Sequence, residues 1–171
     1  QYGADTLRMY EMFLGPIDQS KPWDTRGISG VHSFLKKFWG LFFKNGLFNV
    51  SEKKPSNESL KLLHKAIKKI TEDIEKLSLN TCVSSFMICV NELSSIGCNN
   101  RLVLEELLIL ISPFAPHFAE ELWSQIGHKE SIVNQIYPVY NEKYLVETEK
   151  LYPVSFNGKT KFTINLPLNL S

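Results

Sequence analysis

The chain has 171 residues, a length typical of one domain or of one domain with a small appendage. Hydrophobic residues make up 43% of it and no low-complexity tract interrupts it, which excludes an intrinsically disordered chain. No apolar run is long enough for a transmembrane helix, and the first residues lack the basic-then-apolar pattern of a signal peptide, so no membrane role is expected.

The first two predicted helices cover residues 4–14 and residues 28–44. Asp5 is available as the N-cap of the first helix. In the second helix apolar residues recur at alternating three- and four-residue steps, and Asn45-Gly46 closes it. The loop between the two helices contains Trp23, which is expected to fill a gap against the body of the domain rather than to serve as a binding platform.

Residues 58–77 form the most regular predicted helix, and Ser56 or Asn57 can cap it. A fourth helix is predicted to begin beside the capping residue Asn80 and to end at Gly97. Each helix has one continuous apolar face, as expected of helices that pack in a bundle.

The segment 102–127 is expected to form the centre of the bundle. Only Glu105 and Glu106 interrupt the apolar run of residues 102–111, which predicts a buried helix with both acids at its wet edge. Two prolines then bend the chain at residues 112–116, and a second amphipathic helix follows. The sequence therefore predicts a helical hairpin with a proline bend.

After this hairpin the periodicity weakens over residues 128–151. From Val154 to Leu166 the period becomes two, and Asn157-Gly158 lies between the alternating runs, which predicts a β-hairpin. The predicted fold is mainly α: a bundle of four or five helices within residues 4–127, with a short C-terminal β-hairpin.

Few residues indicate catalytic or metal chemistry. The sequence contains no glycine-rich phosphate loop, no nucleophile elbow and no histidine pair with metal-ligand spacing. His117 is expected to satisfy a backbone group at the proline bend. Cys82 and Cys89 are seven residues apart and form no CxxC pair, so with Cys98 they are expected to be reduced thiols, without metal, in a cytoplasmic protein. By its own residues the chain is not an enzyme.

Basic residues are concentrated in the first half of the chain. Residues 1–76 contain 13 Lys and Arg against 9 Asp and Glu, whereas residues 77–171 contain 6 against 9. This asymmetry permits a surface that faces a polyanion. Seven residues are the candidates for contacts with nucleic-acid phosphates: Arg8, Lys21, Arg26, Lys36, Lys37, Lys65 and Lys69. A solvated surface on a protein-interaction scaffold is the alternative.

Several stretches resemble a known family. The bend and the helix after it read SPFAPHFAEELW, which resembles the hairpin in the helical tRNA-binding domain of class I aminoacyl-tRNA synthetases for aliphatic amino acids. The opening stretch YGADTLRMYEMFLGPIDQSKPWDTRGISGVHSFLKKFW resembles bacterial-type leucyl-tRNA synthetases just after their KMSKS signature loop. Two later stretches, KAIKKITEDIEKLSLNTCVSSFMICVNEL and YPVSFNGKTKF, resemble the middle helices of that domain and the start of the C-terminal domain.

The resemblance implies a C-terminal fragment in three parts: a helical tRNA-binding (anticodon-binding) bundle at residues 1–127, a connector at 128–151 and the start of a truncated β-containing domain at 152–171. The parent would be a cytoplasmic, monomeric ligase that attaches leucine to tRNA(Leu) using ATP and Mg²⁺. This fragment would hold no cofactor, catalytic site or editing site, and its partners would be tRNA(Leu) and the remaining parent domains. Its role would be to position the tRNA. The same domain of an isoleucyl or valyl enzyme is an alternative, against which the KPWDTRG loop argues.

Overall fold

The computed structural model describes residues 2–146, 149–156 and 159–167. Its helices are α1 (Ala4–Phe13), α2 (Ile28–Trp39), α3 (Asn57–Glu75), α4 (Leu79–Ser95), α5 (Arg101–Ile111) and α6 (Pro116–Gln125). Its strands are β1 (Phe43–Lys44), β2 (Leu47–Phe48), β3 (Glu149–Phe156) and β4 (Lys159–Pro167). Short 3₁₀ turns occupy Thr25–Gly27, Ile132–Asn134 and Glu142–Tyr144. A bilayer-spanning helix, judged by length and hydropathy, does not occur in these described ranges.

The chain divides into two compact units, Gln1–Tyr140 and Asn141–Ser171. The first unit contains the six helices, and the second contains the antiparallel pair β3–β4. The prediction of a mainly α fold with a C-terminal β-hairpin is therefore confirmed. The described residues contain six helices rather than four or five, and the proline bend separates α5 from α6 as predicted.

The helix with main contacts to α1, α2 and α3 is α4 rather than α5, so the predicted central position of α5 is not what the packing shows. Helix α5 packs against α3 and α6, and it is buried, as predicted. Six of its side chains have no exposed surface: Val103, Leu104, Leu107, Leu108, Leu110 and Ile111. The acid Glu105 reaches the edge of the core, where it accepts a hydrogen bond from Arg101 at 2.8 Å and lies 2.7 Å from Nε2 of His128. Burial raises the pKa of the neighbouring half-buried Glu106.

The prediction that residues 28–44 form one helix is wrong at its end. Helix α2 stops at Trp39, and Asn45-Gly46 is instead the turn of the hairpin β1–β2, with φ angles of 52° and 77°. Two positive φ angles are what a two-residue hairpin turn requires, and Asn-Gly supplies them at low cost. The apolar pattern continued past the helix because Leu41 and Phe42 are buried in the irregular segment that follows it.

Three local predictions about single residues are also wrong. Asp5 does not cap α1, because that helix begins after Gly3. The Asp5 carboxylate instead accepts a hydrogen bond from the backbone amide of Phe118. Helix α4 begins at Leu79, ahead of Asn80, without a side-chain cap. Trp23 is 58% exposed and touches the body of the domain edge-on at Tyr10, so it fills no gap. The cap predicted for α3 is confirmed, because the Ser56 side chain accepts a hydrogen bond from the Ser59 amide.

The C-terminal hairpin is longer than the alternating apolar residues indicated. Its register runs from Glu149 opposite Pro167 to Phe156 opposite Lys159, with an irregularity between Val154 and Ser155. The predicted turn at Asn157-Gly158 lies outside the described residues.

Burial of the cysteines yields a testable prediction. Burial raises the pKa of the Cys82 thiol to about 11 and that of Cys89 to about 12, and it also raises the pKa of the half-buried Cys98. Since the thiolate is the reactive form, a disulfide reagent at pH 8 should modify Cys98 first in the native protein and reach the other two only after unfolding. Mass spectrometry of partly labelled protein checks this order; rapid native labelling of Cys82 or Cys89 would contradict it.

Candidate nucleic-acid interface

Two of the seven candidate cations are exposed, and their side chains make no ion pair or hydrogen bond within the described residues: Lys36 on α2 and Lys65 on α3. A lysine that is fully solvated in the free protein can move onto a phosphate without breaking an internal contact. By this criterion Lys36 and Lys65 are the candidates best suited to bind a polyanion.

Two other candidates join different parts of the bundle. Lys37 donates a hydrogen bond at 2.7 Å to the Asn91 side chain on α4. Arg8 donates two hydrogen bonds, at 3.3 and 3.1 Å, to the backbone carbonyl of Pro113 at the proline bend. The guanidinium of Arg8 therefore has a structural partner 105 residues away in the sequence.

Lys69 is held by a buried acid. Its Nζ lies 2.6 Å from Asp73, which also accepts a hydrogen bond at 2.6 Å from the Thr81 hydroxyl of α4. Burial alone would raise the pKa of Asp73, but the hydrogen bonds from Lys69 and Thr81 outweigh it and lower that pKa below its ordinary value. Since Asp73 is only 4% exposed, removing the charge of Lys69 would leave a buried carboxylate without its ion-pair partner.

The remaining candidates, Lys21 and Arg26, lie in the loop between α1 and α2. Lys21 donates to the Gln19 side chain at 3.1 Å. Arg26 forms a two-pronged pair with Asp24, its Nε and Nη2 lying 2.8–3.1 Å from the carboxylate oxygens. The exposed Trp23 lies directly before this pair. This loop combines an aromatic ring with two basic residues, although Asp24 neutralises one of them.

Lys36 borders a groove of about 420 Å³ between α1, α2 and α6. The groove is mostly apolar and includes the side chains of Leu35, Trp39 and Phe118. The ring of Phe118 is half-buried and lies 5.4 Å from that of Phe38 and 6.0 Å from that of Trp39. Sequence reasoning missed this groove because its α6 wall lies more than 70 residues after the walls from α1 and α2.

His117 lies at the edge of the same groove, and its predicted partner is wrong. Its Nδ1 lies 2.9 Å from a carboxylate oxygen of Asp5, so the ring pairs with a side chain rather than with a backbone group of the bend. No group of three or more His, Cys, Asp and Glu residues within the described ranges is arranged to hold a metal ion. The described residues thus provide exposed lysines, which can contact phosphates, and an apolar groove.

The first unit is thus a helical bundle with exposed lysines on α2 and α3 and an apolar groove between α1, α2 and α6. A family model described as the anticodon-binding domain of tRNA ligases matches residues 57–171, and the chain belongs to that family.

Relatives that match this chain over its whole length are leucine–tRNA ligases. The chain is 64% identical over 171 residues to the leucine–tRNA ligase of Flavobacterium psychrophilum and 62% identical over 171 residues to that of Flavobacterium johnsoniae. Each match covers 100% of this chain and 18% of the relative, so the chain spans about a fifth of their length.

A solved structure is similar over almost the whole chain. It is the crystal structure of the ternary complex of the Agrobacterium radiobacter K84 agnB2 LeuRS with tRNA and LeuAMS. The similarity has a TM-score of 0.76 at 28% sequence identity and covers 99% of this chain and 24% of that one. The similar protein was crystallised with tRNA bound.

Proposed function

We propose that this chain is the tRNA-positioning domain of a leucine–tRNA ligase, a cytoplasmic monomer that attaches leucine to tRNA(Leu) using ATP and Mg²⁺. The observation that carries this proposal is the 64% identity to a leucine–tRNA ligase along the entire chain. The tRNA in the similar crystallised complex supports a nucleic-acid partner. The solvated Lys36 and Lys65 supply cations suited to phosphates.

In this proposal the bundle of residues 1–127 contacts the tRNA. Residues 128–151 connect the bundle to residues 152–171, which belong to a β-containing domain. The first part of the connector packs with the bundle, since Ile132 is 1% exposed and the Trp123 indole donates a hydrogen bond at 3.0 Å to the carbonyl of Glu130. A rigid bundle that contacts phosphates can fix the orientation of a tRNA stem, which lets another domain act on the acceptor end.

The proposal is tested by aminoacylation with a longer protein that contains this chain. That protein should charge tRNA(Leu) with leucine, and it should charge neither tRNA(Ile) with isoleucine nor tRNA(Val) with valine. The chain of residues 1–171 alone should show no leucine-dependent ATP–pyrophosphate exchange, because we assign the ATP and leucine sites to other domains. Charging of isoleucine or valine by the longer protein, or exchange by the chain alone, would overturn the proposal.

A further inference from the structure

Helix α1 contacts both sides of the proline bend between α5 and α6. One carboxylate oxygen of Asp5 accepts a hydrogen bond at 2.6 Å from the backbone amide of Phe118, and the other lies 2.9 Å from the His117 ring. Arg8, one helical turn further along α1, donates two hydrogen bonds to the carbonyl of Pro113, which lies in the bend shortly after the end of α5. Two side chains of one helix thus hold the end of α5 and the start of α6; we call this pair the bend clamp.

The bend clamp supplies a hydrogen-bond acceptor that the start of α6 lacks. Helix α6 begins after Ala115, which has no side-chain acceptor, and its first residue is Pro116, which has no N–H. The amide of Phe118 is therefore an end donor that needs an acceptor from elsewhere, and Asp5 supplies one. An acid at the start of α6 and a base near the end of α5 also match the signs of the two helix dipoles.

The two elements that the bend clamp joins both contact α2, the helix that contains the candidate cation Lys36. Helix α1 packs against α2, which contains Lys36. The ring of Phe118, whose backbone amide donates to Asp5, contacts the rings of Phe38 and Trp39 of α2. The end of α2 that presents Lys36 is therefore bounded by α1 and by the start of α6, the two elements that the bend clamp joins.

We propose that Asp5 and Arg8 are positioning residues for tRNA charging: they fix α1 and α2 against the α5–α6 bend, so that Lys36 meets the tRNA in one geometry. This inference rests on the proposed function. It removes Arg8 from the direct phosphate contacts and gives its charge a structural task. Misplacement of a binding group by about 1 Å can cost up to about 100-fold in a reaction that depends on alignment.

The test uses Asp5→Ala in the longer protein, with Glu11→Ala, an exposed acid of the same helix, as the matched control. In Asp5→Ala the kcat/KM for tRNA(Leu) should fall about tenfold, while leucine-dependent ATP–pyrophosphate exchange stays at the wild-type rate. Glu11→Ala should leave both unchanged. Equal losses of charging and exchange, or no loss of charging, would overturn the inference.

A second variant separates positioning from simple helix capping. Serine at position 115 can accept the Phe118 amide from within α6, so Asp5→Ala combined with Ala115→Ser should regain the unfolding midpoint. It should not regain charging, because the link to α1 stays broken. If the double variant charges at the wild-type rate, Asp5 is only a cap and the inference fails.

Arg8→Lys provides a variant that keeps the charge if the Asp5 variants do not fold. A lysine retains any direct phosphate contact but loses the two-donor geometry at Pro113, so kcat/KM should fall about threefold, the size of one net hydrogen bond. Wild-type charging in Arg8→Lys would contradict positioning by Arg8. Failure of the wild-type longer protein to charge leucine would instead overturn the proposed function, and this inference with it.

Discussion

Replacing Phe38 with alanine is expected to lower the free energy of unfolding by about 3–5 kcal/mol. Phe38 has no exposed surface, and its ring contacts Phe34, Phe42 and Phe118 at centroid distances of 5.4–6.2 Å. The loss combines the transfer free energy of the ring with the cavity that remains among these aromatic neighbours. Denaturant unfolding of the isolated chain, followed by circular dichroism at 222 nm, measures the change.

The matched control is Phe48→Ala in β2, where the same side chain is 48% exposed. It should cost less than about 1 kcal/mol, because about half of the side chain is already hydrated in the folded protein. Equal losses for the two variants would place Phe38 outside the core and contradict the packing of α2 against α6.

Reversing the charge of Lys36 and Lys65 together should weaken the binding of tRNA(Leu). Each neutralised phosphate contributes about 0.9 to the slope of log affinity against log salt, so loss of two contacts should cost on the order of 50-fold at about 0.1 M salt. Filter binding or fluorescence anisotropy with the longer protein measures the affinity, and leucine-dependent ATP–pyrophosphate exchange should be unchanged.

The control for this pair is Lys129→Glu with Lys143→Glu, which changes the net charge equally at exposed positions outside the basic half. This control should lower the affinity much less, because only the long-range field changes. Lys37 and Lys69 are left intact in the test. Reversal of either would break an internal contact, to Asn91 or to the buried Asp73, and would mix a loss of stability with a loss of binding.

The sequence was sufficient where local rules decide the structure. The period of the apolar residues and the Ser56 cap located α3, and the two prolines located the bend between α5 and α6. The same rules extended α2 too far, because the buried Leu41 and Phe42 continue its pattern in a segment that is not helical. Periodicity reports which residues are buried, and a short irregular segment can bury residues at helical spacing.

The arrangement around the candidate interface could not be predicted, because its contacts are distant in sequence. Local spacing predicts that Asp5 caps its own helix, but its partner Phe118 lies 113 residues away. Arg8 and Lys37 were grouped with the solvated cations because the sequence does not reveal Pro113 or Asn91 beside them. The pairing of Arg26 with Asp24, two residues apart in one loop, is indicated by the sequence and is confirmed. The pairing of Lys69 with Asp73, four residues apart on one helix, is likewise recognisable from local spacing.

The most direct test of the central claim is the salt dependence of tRNA(Leu) binding to the longer protein, wild type beside Lys36→Glu with Lys65→Glu. If these lysines neutralise phosphates, log affinity should fall linearly with log salt for the wild type, and the slope should be smaller by about two units in the double variant. The Lys129→Glu with Lys143→Glu control should keep the wild-type slope. A slope that the double variant leaves unchanged would contradict the assignment of Lys36 and Lys65 to tRNA phosphates.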